Sequence, residues 1–370
     1  PTISAANISK LDGGAGIDTL GFEESGTNTG ELTLTTAGAT NFENLIGTAG
    51  AETIKGDNNA NVLSGLNGLD TIYGYGGNDT LYAQKSSSTN QTSNDILYGG
   101  AGNDTLYGNN GDNTLDGGTG ADTITSHGGS DTIVLRSGDG GTTQSAGDTV
   151  TDFTDGTDSL GLDSSLTFTD LTIEQSGSDT VIKEGSDYLA TLTGISASNI
   201  TVLDFQSTAT TDTTFTGTSG NDTLIGGAGG DIFNGGAGSD TLLGWGGNDT
   251  FNIRSKTGSY ADTVNGGAGT DTLDIDYSGI SNLGSFTISR DSGTVTLTDS
   301  SGGAISYDVA NLENLTVNDI AYTKVGSNAY WGAAEKALYF YAINGISSSE
   351  ILALSGLSAS DNLTCLLYTS

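Results

Sequence analysis

Residues Gly99–Tyr107 read Gly-Gly-Ala-Gly-Asn-Asp-Thr-Leu-Tyr, and the stretch 18 residues further on, Gly117–Thr125, reads Gly-Gly-Thr-Gly-Ala-Asp-Thr-Ile-Thr. The common pattern is Gly-Gly-x-Gly-x-Asp-x-U-x, with U a large apolar residue. Full copies also begin at Gly13, Gly226, Gly235 and Gly266. Near copies hold the register from Gly47, Gly56, Gly65 and Gly74 and, after 7 inserted residues (83–89), from Asn90, Gly99, Gly108, Gly117 and Ser126. A second run has rows at Gly217, Gly226, Gly235 and Gly244, takes in 4 extra residues, and resumes at Thr257 and Gly266. A sustained fixed period marks a stacked repeat architecture.

The nine positions have a mechanical reading. The first six form a turn and the last three a short strand with U pointing inward. Gly at positions 1, 2 and 4 supplies positive-φ backbone and lets strand ends approach closely. Asp at position 6 brings a carboxylate to the turn. Two rows make one coil, so the turns of rows n and n+2 stack on one edge, with backbone carbonyls and carboxylates facing each other. Hard oxygen ligands of this kind, about six to eight in number, suit calcium. The predicted fold is all-β: a parallel β-roll, a calcium-binding solenoid in two blocks, with β-rich insert or cap modules and a short helical C-terminal segment.

Composition agrees. The chain has 370 residues, 59 of them Gly, with 45 acidic against 10 basic side chains and a formal charge of −35. That charge argues against a nucleic-acid partner. Asp outnumbers Glu 35 to 10, a skew toward turns rather than helices. Hydrophobic residues make up 34%, and one apolar side chain per row gives a thin core that must also hold many acids. The chain is therefore expected to be largely disordered without calcium and folded with it. No apolar run approaches the roughly 20 residues of a membrane span, and no signal segment opens the sequence.

These rows resemble the RTX (repeats-in-toxin) family of hemolysin-type calcium-binding nonapeptide repeats. The resemblance implies a parallel β-roll, calcium between stacked turns, and type I secretion to the medium or cell surface. Carried over row by row, it assigns metal ligation to Asp70, Asp79, Asp95, Asp104, Asp122, Asp131, Asp222, Asp231, Asp240, Asp249, Asp262 and Asp271, with Asp18 in the same position. Glu52, Asn61 and Asn113 replace Asp in their rows, and row 90–98 lacks Gly, so those sites are expected to be weak or empty. The best-formed sites are expected between the rows from Gly99 and Gly117, from Gly217 and Gly235, and from Gly226 and Gly244. His127, at position 2 of its row, reads as an exposed turn residue.

The expected organisation runs as follows. Residues 1–46 are the end of an upstream roll plus a β-rich insert, and 47–134 are the first roll. Residues 135–206 hold a degenerate row, Thr143–Thr151, with Asp148 and Val150 in the ligand and core positions, followed by a β-rich cap. A Thr-rich linker (207–216) leads to the second roll (217–274) and a second β-rich insert (275–327). The motif Asn-Phe-Glu-Asn-Leu at 41–45 is echoed by Asn-Leu-Glu-Asn-Leu at 311–315, which points to a duplicated unit of roll, insert and roll. Trp331, Ala334, Ala337, Leu338 and Tyr341 recur at helical spacing, so 328–364 is expected to be helical and to start an incomplete domain. The absence of Met reads as a fragment. Residues 365–370 match the translation of a transposase end sequence used in DNA library preparation and are expected to be adapter read-through.

Catalytic motifs are lacking. One His and one Cys exclude most triads, and no Gly-x-Ser-x-Gly or His-Glu-x-x-His is present, so no enzyme is expected within these residues. The preferred function is a calcium-stabilised extracellular scaffold within a large bacterial adhesin or surface-layer protein, with cell-surface glycans or other copies of the protein as partners. The alternative is the RTX portion of a secreted enzyme or toxin whose catalytic domain lies upstream. A lesser reading, ice or polysaccharide binding, uses the outward ladders of Thr just after a ligand Asp (Thr71, Thr80, Thr105, Thr123, Thr223, Thr241, Thr250 and Thr272) and of Tyr73, Tyr82, Tyr98 and Tyr107; β propensity on a solvated face explains them as well.

Overall fold

A computed structural model describes residues 11–22, 29–34, 40–84, 91–254, 256–291, 293–325, 329–332, 337–340 and 364–367. It separates into two units, Pro1–Gln206 and Ser207–Ser370.

In the first unit the last three positions of successive rows alternate between two parallel sheets. One sheet stacks Thr19–Gly21, Asn44–Ile46, Val62–Ser64, Thr80–Tyr82, Thr105–Tyr107, Thr123–Thr125 and Asp148–Val150. The other stacks Glu31–Thr33, Thr53–Lys55, Thr71–Gly76, Ile96–Ala101, Thr114–Thr119, Thr132–Leu135 and Ser159–Leu162. Position U makes the core: Leu45, Ile54, Leu63, Ile72, Leu81, Leu97, Leu106, Leu115, Ile124, Ile133 and Val150 are completely buried. The insertion before Asn90 leaves the register intact, since Leu81 still faces Leu106 and Ile72 faces Leu97. A one-residue slip would turn every U side chain to solvent, so the core sets the pairing. The degenerate row joins the roll as its spacing indicates, with Thr149 and Val150 opposite Thr123 and Ile124.

The second unit repeats the plan with bulkier filling. Phe215, Phe233 and Phe251 stack in one column, ring centroids 5.1 and 4.8 Å apart, and Leu242, Val264 and Leu273 are buried beside them. Residues 207–216, expected as a linker, are instead the first row of this roll. Thr214–Thr216 pairs in parallel with Ile232–Asn234, and Ala209 O accepts the Ala228 amide. The row keeps the nine-residue spacing and an apolar U at Phe215; Thr in place of Gly and Asp masked it.

Both rolls run into antiparallel meanders. Asp187–Leu192 lies parallel to Asp148–Val150 and carries Asp179–Glu184 and Leu171–Ser176 outward from it. Ala304–Asp308 lies parallel to Ala261–Asn265 and carries Thr294–Thr298 and Thr287–Asp291. The change from parallel to antiparallel pairing follows the loss of the nonapeptide and the onset of five- and six-residue alternating strands joined by short turns.

The expected helix over 328–364 is corrected at the residues described there. Ala329–Gly332 and Ala337–Phe340 are antiparallel strands, and Thr364–Leu367 pairs in parallel with the second of them. Tyr, Trp and Phe favour strands, and a short apolar run matches helical and strand periods alike. The rest of that segment lies outside the described residues.

Candidate metal centre

Position 6 side chains line up along one edge of each sheet, and they are buried: Asp70, Asp79, Asp95, Asp104, Asp122, Asp131, Asp148, Asp231, Asp240, Asp249, Asp262 and Asp271. Each coil is tied to the next through them. Oδ1 of the carboxylate in one coil accepts the backbone N–H of the position 6 residue in the coil before. The chain of bonds runs Glu52 to Asp70 (2.8 Å), Asp70 to Asp95 (2.7 Å), Asp95 to Asn113 (3.1 Å), Asn113 to Asp131 (2.8 Å) and Asp131 to Asp158 (3.0 Å). The opposite edge runs Asn61 to Asp79, Asp104, Asp122 and Asp148 at 2.6–3.0 Å. In the second roll Asp222, Asp240 and Asp262 form one such file, and Thr213, Asp231, Asp249 and Asp271 the other.

Glu43 and Glu313 were missed as members of these files. Their side chains accept the N–H of Asp18 and Asp271 at 2.8 and 3.1 Å, so the duplicated Asn-x-Glu-Asn-Leu motif places a longer acid where a nonapeptide Asp is lacking. Asp158 was missed as well. It closes the Asp131 file from a row that keeps only Gly156 at position 4 and Leu160 at position U, so the signal was the spacing of Gly156, Asp158 and Leu160.

The second carboxylate oxygen carries the chemistry. Oδ2 of Asp18, Asp70, Asp79, Asp104, Asp122, Asp131, Asp249, Asp262 and Asp271 is buried without any hydrogen-bond donor. Burial pushes Asp79, Asp131 and Asp249 up to about 7 and Asp95 up to about 6, opposed in part by the N–H from the previous coil. Asp70, Asp104, Asp122, Asp148, Asp262 and Asp271 are raised for the same first reason. An acceptor-only oxygen, out of water and near other carboxylates, is costly in its charged form until a cation reaches it. The donor set fits a hard divalent ion. Among the described residues no three acidic, His or Cys side chains converge, so any ion here also draws on backbone carbonyls.

The turns come in two forms. In eight of the nine rows whose Asp Oδ2 lacks a donor, from Gly13, Gly65, Gly74, Gly99, Gly117, Ser126, Gly244 and Gly266, positions 2 and 4 both have positive φ; the ninth, from Thr257, has it at Gly258 only. In the eight this holds even where position 2 is Leu66 (75°), Tyr75 (73°), His127 (70°) or Trp245 (72°). Left-handed backbone costs an ordinary residue about 1–2 kcal/mol, strain of the kind found at functional sites. In the other form position 2 donates its own N–H to the position 6 side chain, as Asp57 does to Asn61 (2.8 Å), Thr218 to Asp222 (2.7 Å) and Gly227 to Asp231 (3.1 Å). We call these forms open and closed.

This sorting differs from the sequence expectation at two of the three favoured places. The rows from Gly99 and Gly117 are open, but those from Gly217 and Gly226 are closed, although Gly226 opens a full copy of the motif. The reason for Gly at position 1 also differs. Its φ is not positive. A Cβ on Gly226 or Gly235 would lie 2.6 Å from Oδ2 of Asp231 or Asp240, and on Gly99 it would overlap Asp104 Oδ2 and Gly117 O. Gly217 and Gly244 stand in the same relation to Asp222 and Asp249, and Gly117 to Asp122. The glycine makes room for the carboxylate.

The rows expected to be weak are satisfied by the chain itself. Asn113 Nδ2 donates to Gly111 O (2.6 Å) and to Asp131 Oδ1 (3.1 Å). Asp95 Oδ2 accepts from Ser93 Oγ (3.0 Å) and Asn109 Nδ2 (2.6 Å). Thr48 Oγ1 bonds Glu52. Of the outward ladders, Tyr73 stacks on Tyr98 and Tyr82 on Tyr107, each with centroids 4.9 Å apart, so one face of each ring is covered by its partner.

Fold and site define a parallel β-roll of the calcium-binding type. The family described as the RTX calcium-binding nonapeptide repeat (4 copies) matches residues 46–83, 91–124, 107–140, 216–251 and 256–274, and those residues carry RTX repeats. No curated protein sequence matches. Among solved structures, the solution structure of the R3 subunit of an Azotobacter vinelandii mannuronan C5-epimerase is 21% identical, covering 42% of this chain and 77% of that one, at a TM-score of 0.17. The extracellular lipase LipA of Serratia marcescens is 13% identical, covering 70% of this chain and 37% of that one, at a TM-score of 0.17.

Proposed function

We propose that this chain is a calcium-folded extracellular scaffold, without catalysis of its own, within a bacterial adhesin or surface-layer protein exported by type I secretion. The observation that carries the calcium reading is the file of buried, donorless Asp Oδ2 atoms in the open turns. Asp70, Asp79, Asp104, Asp122, Asp131, Asp249 and Asp271 hold the ions, each with a carbonyl of its own turn and the carboxylate of the next coil. Asp95, Asp222 and Asp231, already hydrogen-bonded at Oδ2, hold them weakly. Bound calcium supplies a divalent cross-link between coils and cancels two of the 35 excess negative charges per ion.

The scaffold role rests on stacked coils and the lack of a catalytic constellation in the sequence. Low cytosolic calcium keeps the acidic chain unfolded for export, and millimolar external calcium folds it. Circular dichroism in chelator and in millimolar calcium tests the first part: the β signal should appear only with calcium, and superimposable spectra would refute it. Fractionation of producing cells tests the second. The protein should sit at the cell surface and be released by chelator, whereas a soluble secreted product joined to a catalytic domain would favour the enzyme alternative.

A further inference from the structure

The row from Gly235 has the open form, with Gly236 at φ 92° and Gly238 at φ 95°, yet Asp240 Oδ2 does not lack a partner. Lys256 Nζ lies 2.8 Å from Asp240 Oδ2, 2.9 Å from Asp262 Oδ1 and 3.0 Å from Gly238 O. Its side chain is 1% exposed, and the ammonium stands 5.1 Å from the centroid of the Tyr260 ring. Three N–H donors meet three oxygens, which uses the full capacity of the group. Lys256 is the last of the 4 residues inserted between the rows from Gly244 and Thr257. The insertion has a purpose: it feeds a lysine into the turn from the neighbouring row.

The three oxygens are those that the proposed calcium reading gives to an open turn: Oδ2 of the row n aspartate, a carbonyl of the same turn (here at position 4), and the carboxylate of row n+2. Asn113 repeats the contact with a neutral donor, its Nδ2 reaching Gly111 O at position 4 and Asp131 Oδ1 in the next coil. Two unrelated side chains thus place a donor nitrogen against the same pair of oxygens. An ammonium and a calcium ion cannot both occupy that space, and the two carboxylates facing Lys256 are buried.

We propose that Lys256 is a built-in cation that occupies the calcium position between Asp240 and Asp262, making this one coil of the second roll independent of calcium. It rests on the reading that open turns take calcium. The clamping cation is tethered to the chain by its own side chain and cannot be removed by a chelator, so the coil stays closed when the other turns lose their ions.

The test uses the full chain in saturating calcium. Native mass spectrometry counts bound ions in the wild type and in Lys256→Met, which keeps the length of the side chain and removes its charge. The variant is expected to hold one more calcium than the wild type. In parallel, an amine-acylating reagent is applied to the wild type, and Lys256 should stay unmodified while Lys55, 28% exposed, is labelled. Equal, non-zero ion counts, or Lys256 labelled as fast as Lys55, would overturn the proposal. Absence of calcium from both proteins would overturn the underlying calcium reading as well. If Lys256→Met does not fold, the wild-type labelling decides alone.

Discussion

Replacing Gly99 by Ala adds one methyl group where the structure has none to spare. The Cβ would overlap Asp104 Oδ2 and the carbonyl oxygen of Gly117 in the next coil. Gly99 does not have positive φ, so the substitution introduces no backbone penalty, and its whole effect comes from crowding. Overpacking a tight site costs about 1–3 kcal/mol. If the carboxylate swings away, its ion goes too, which at a calcium concentration 100 times Kd removes about 2.7 kcal/mol more. The expected loss is therefore roughly 4–6 kcal/mol, with one calcium fewer. Urea unfolding in millimolar calcium, followed by circular dichroism, reads it. Trp245 and Trp331 both lie beyond Ser207, so tryptophan fluorescence reports the second unit and serves as an internal control. Gly156→Ala is the matched comparison: its φ is 73° with nothing within 4 Å of the new methyl, and it should cost only the left-handed penalty of about 1–2 kcal/mol. If Gly99→Ala costs no more than Gly156→Ala and keeps its full complement of ions, position 1 is not a space requirement and the account of the turn is wrong.

Acid should partly replace calcium. Asp79, Asp131 and Asp249 are raised to about 7 by burial, so the metal-free fold binds protons that the unfolded chain does not. That stabilisation is fully present below about pH 4 and is lost as pH rises through about 7. In chelator, β structure should grow from pH 8 to pH 5 by circular dichroism; in calcium, where protons compete with the ion, stability should fall over the same direction. Loss of β signal on acidification in chelator would contradict this. Asp131→Asn should bind one calcium fewer yet keep the roll, because Asn113 already shows the amide bonding its own turn carbonyl; a collapsed roll in saturating calcium would count against it. Phe233→Ala, at the centre of the buried phenylalanine column, should cost about 3–5 kcal/mol, and a loss below 1 kcal/mol in urea titration would show that the column is not packed.

The nonapeptide determined the fold class, the coil length, the inward position of U and the identity of the acidic edge, because each follows from a spacing and a strand period that are local. The degenerate row at Asp148 and Val150 was legible for the same reason. Row 208–216 was not, since Thr at positions 1, 4 and 6 and Ala209 at position 2 had replaced every signature residue except the apolar one. Which aspartates keep a free oxygen was beyond the motif altogether. Asp231 has a complete row and a closed turn, while Asp70 and Asp131 have irregular rows and open ones. That outcome depends on the backbone conformation at positions 2 and 4 and on what each coil meets in the next. Lys256 makes the same point most sharply. In sequence it is one of the chain's 10 basic residues, at the end of the four-residue insertion; only stacking the rows brings it between Asp240 and Asp262, because a cation position made from two coils does not exist until both are in place.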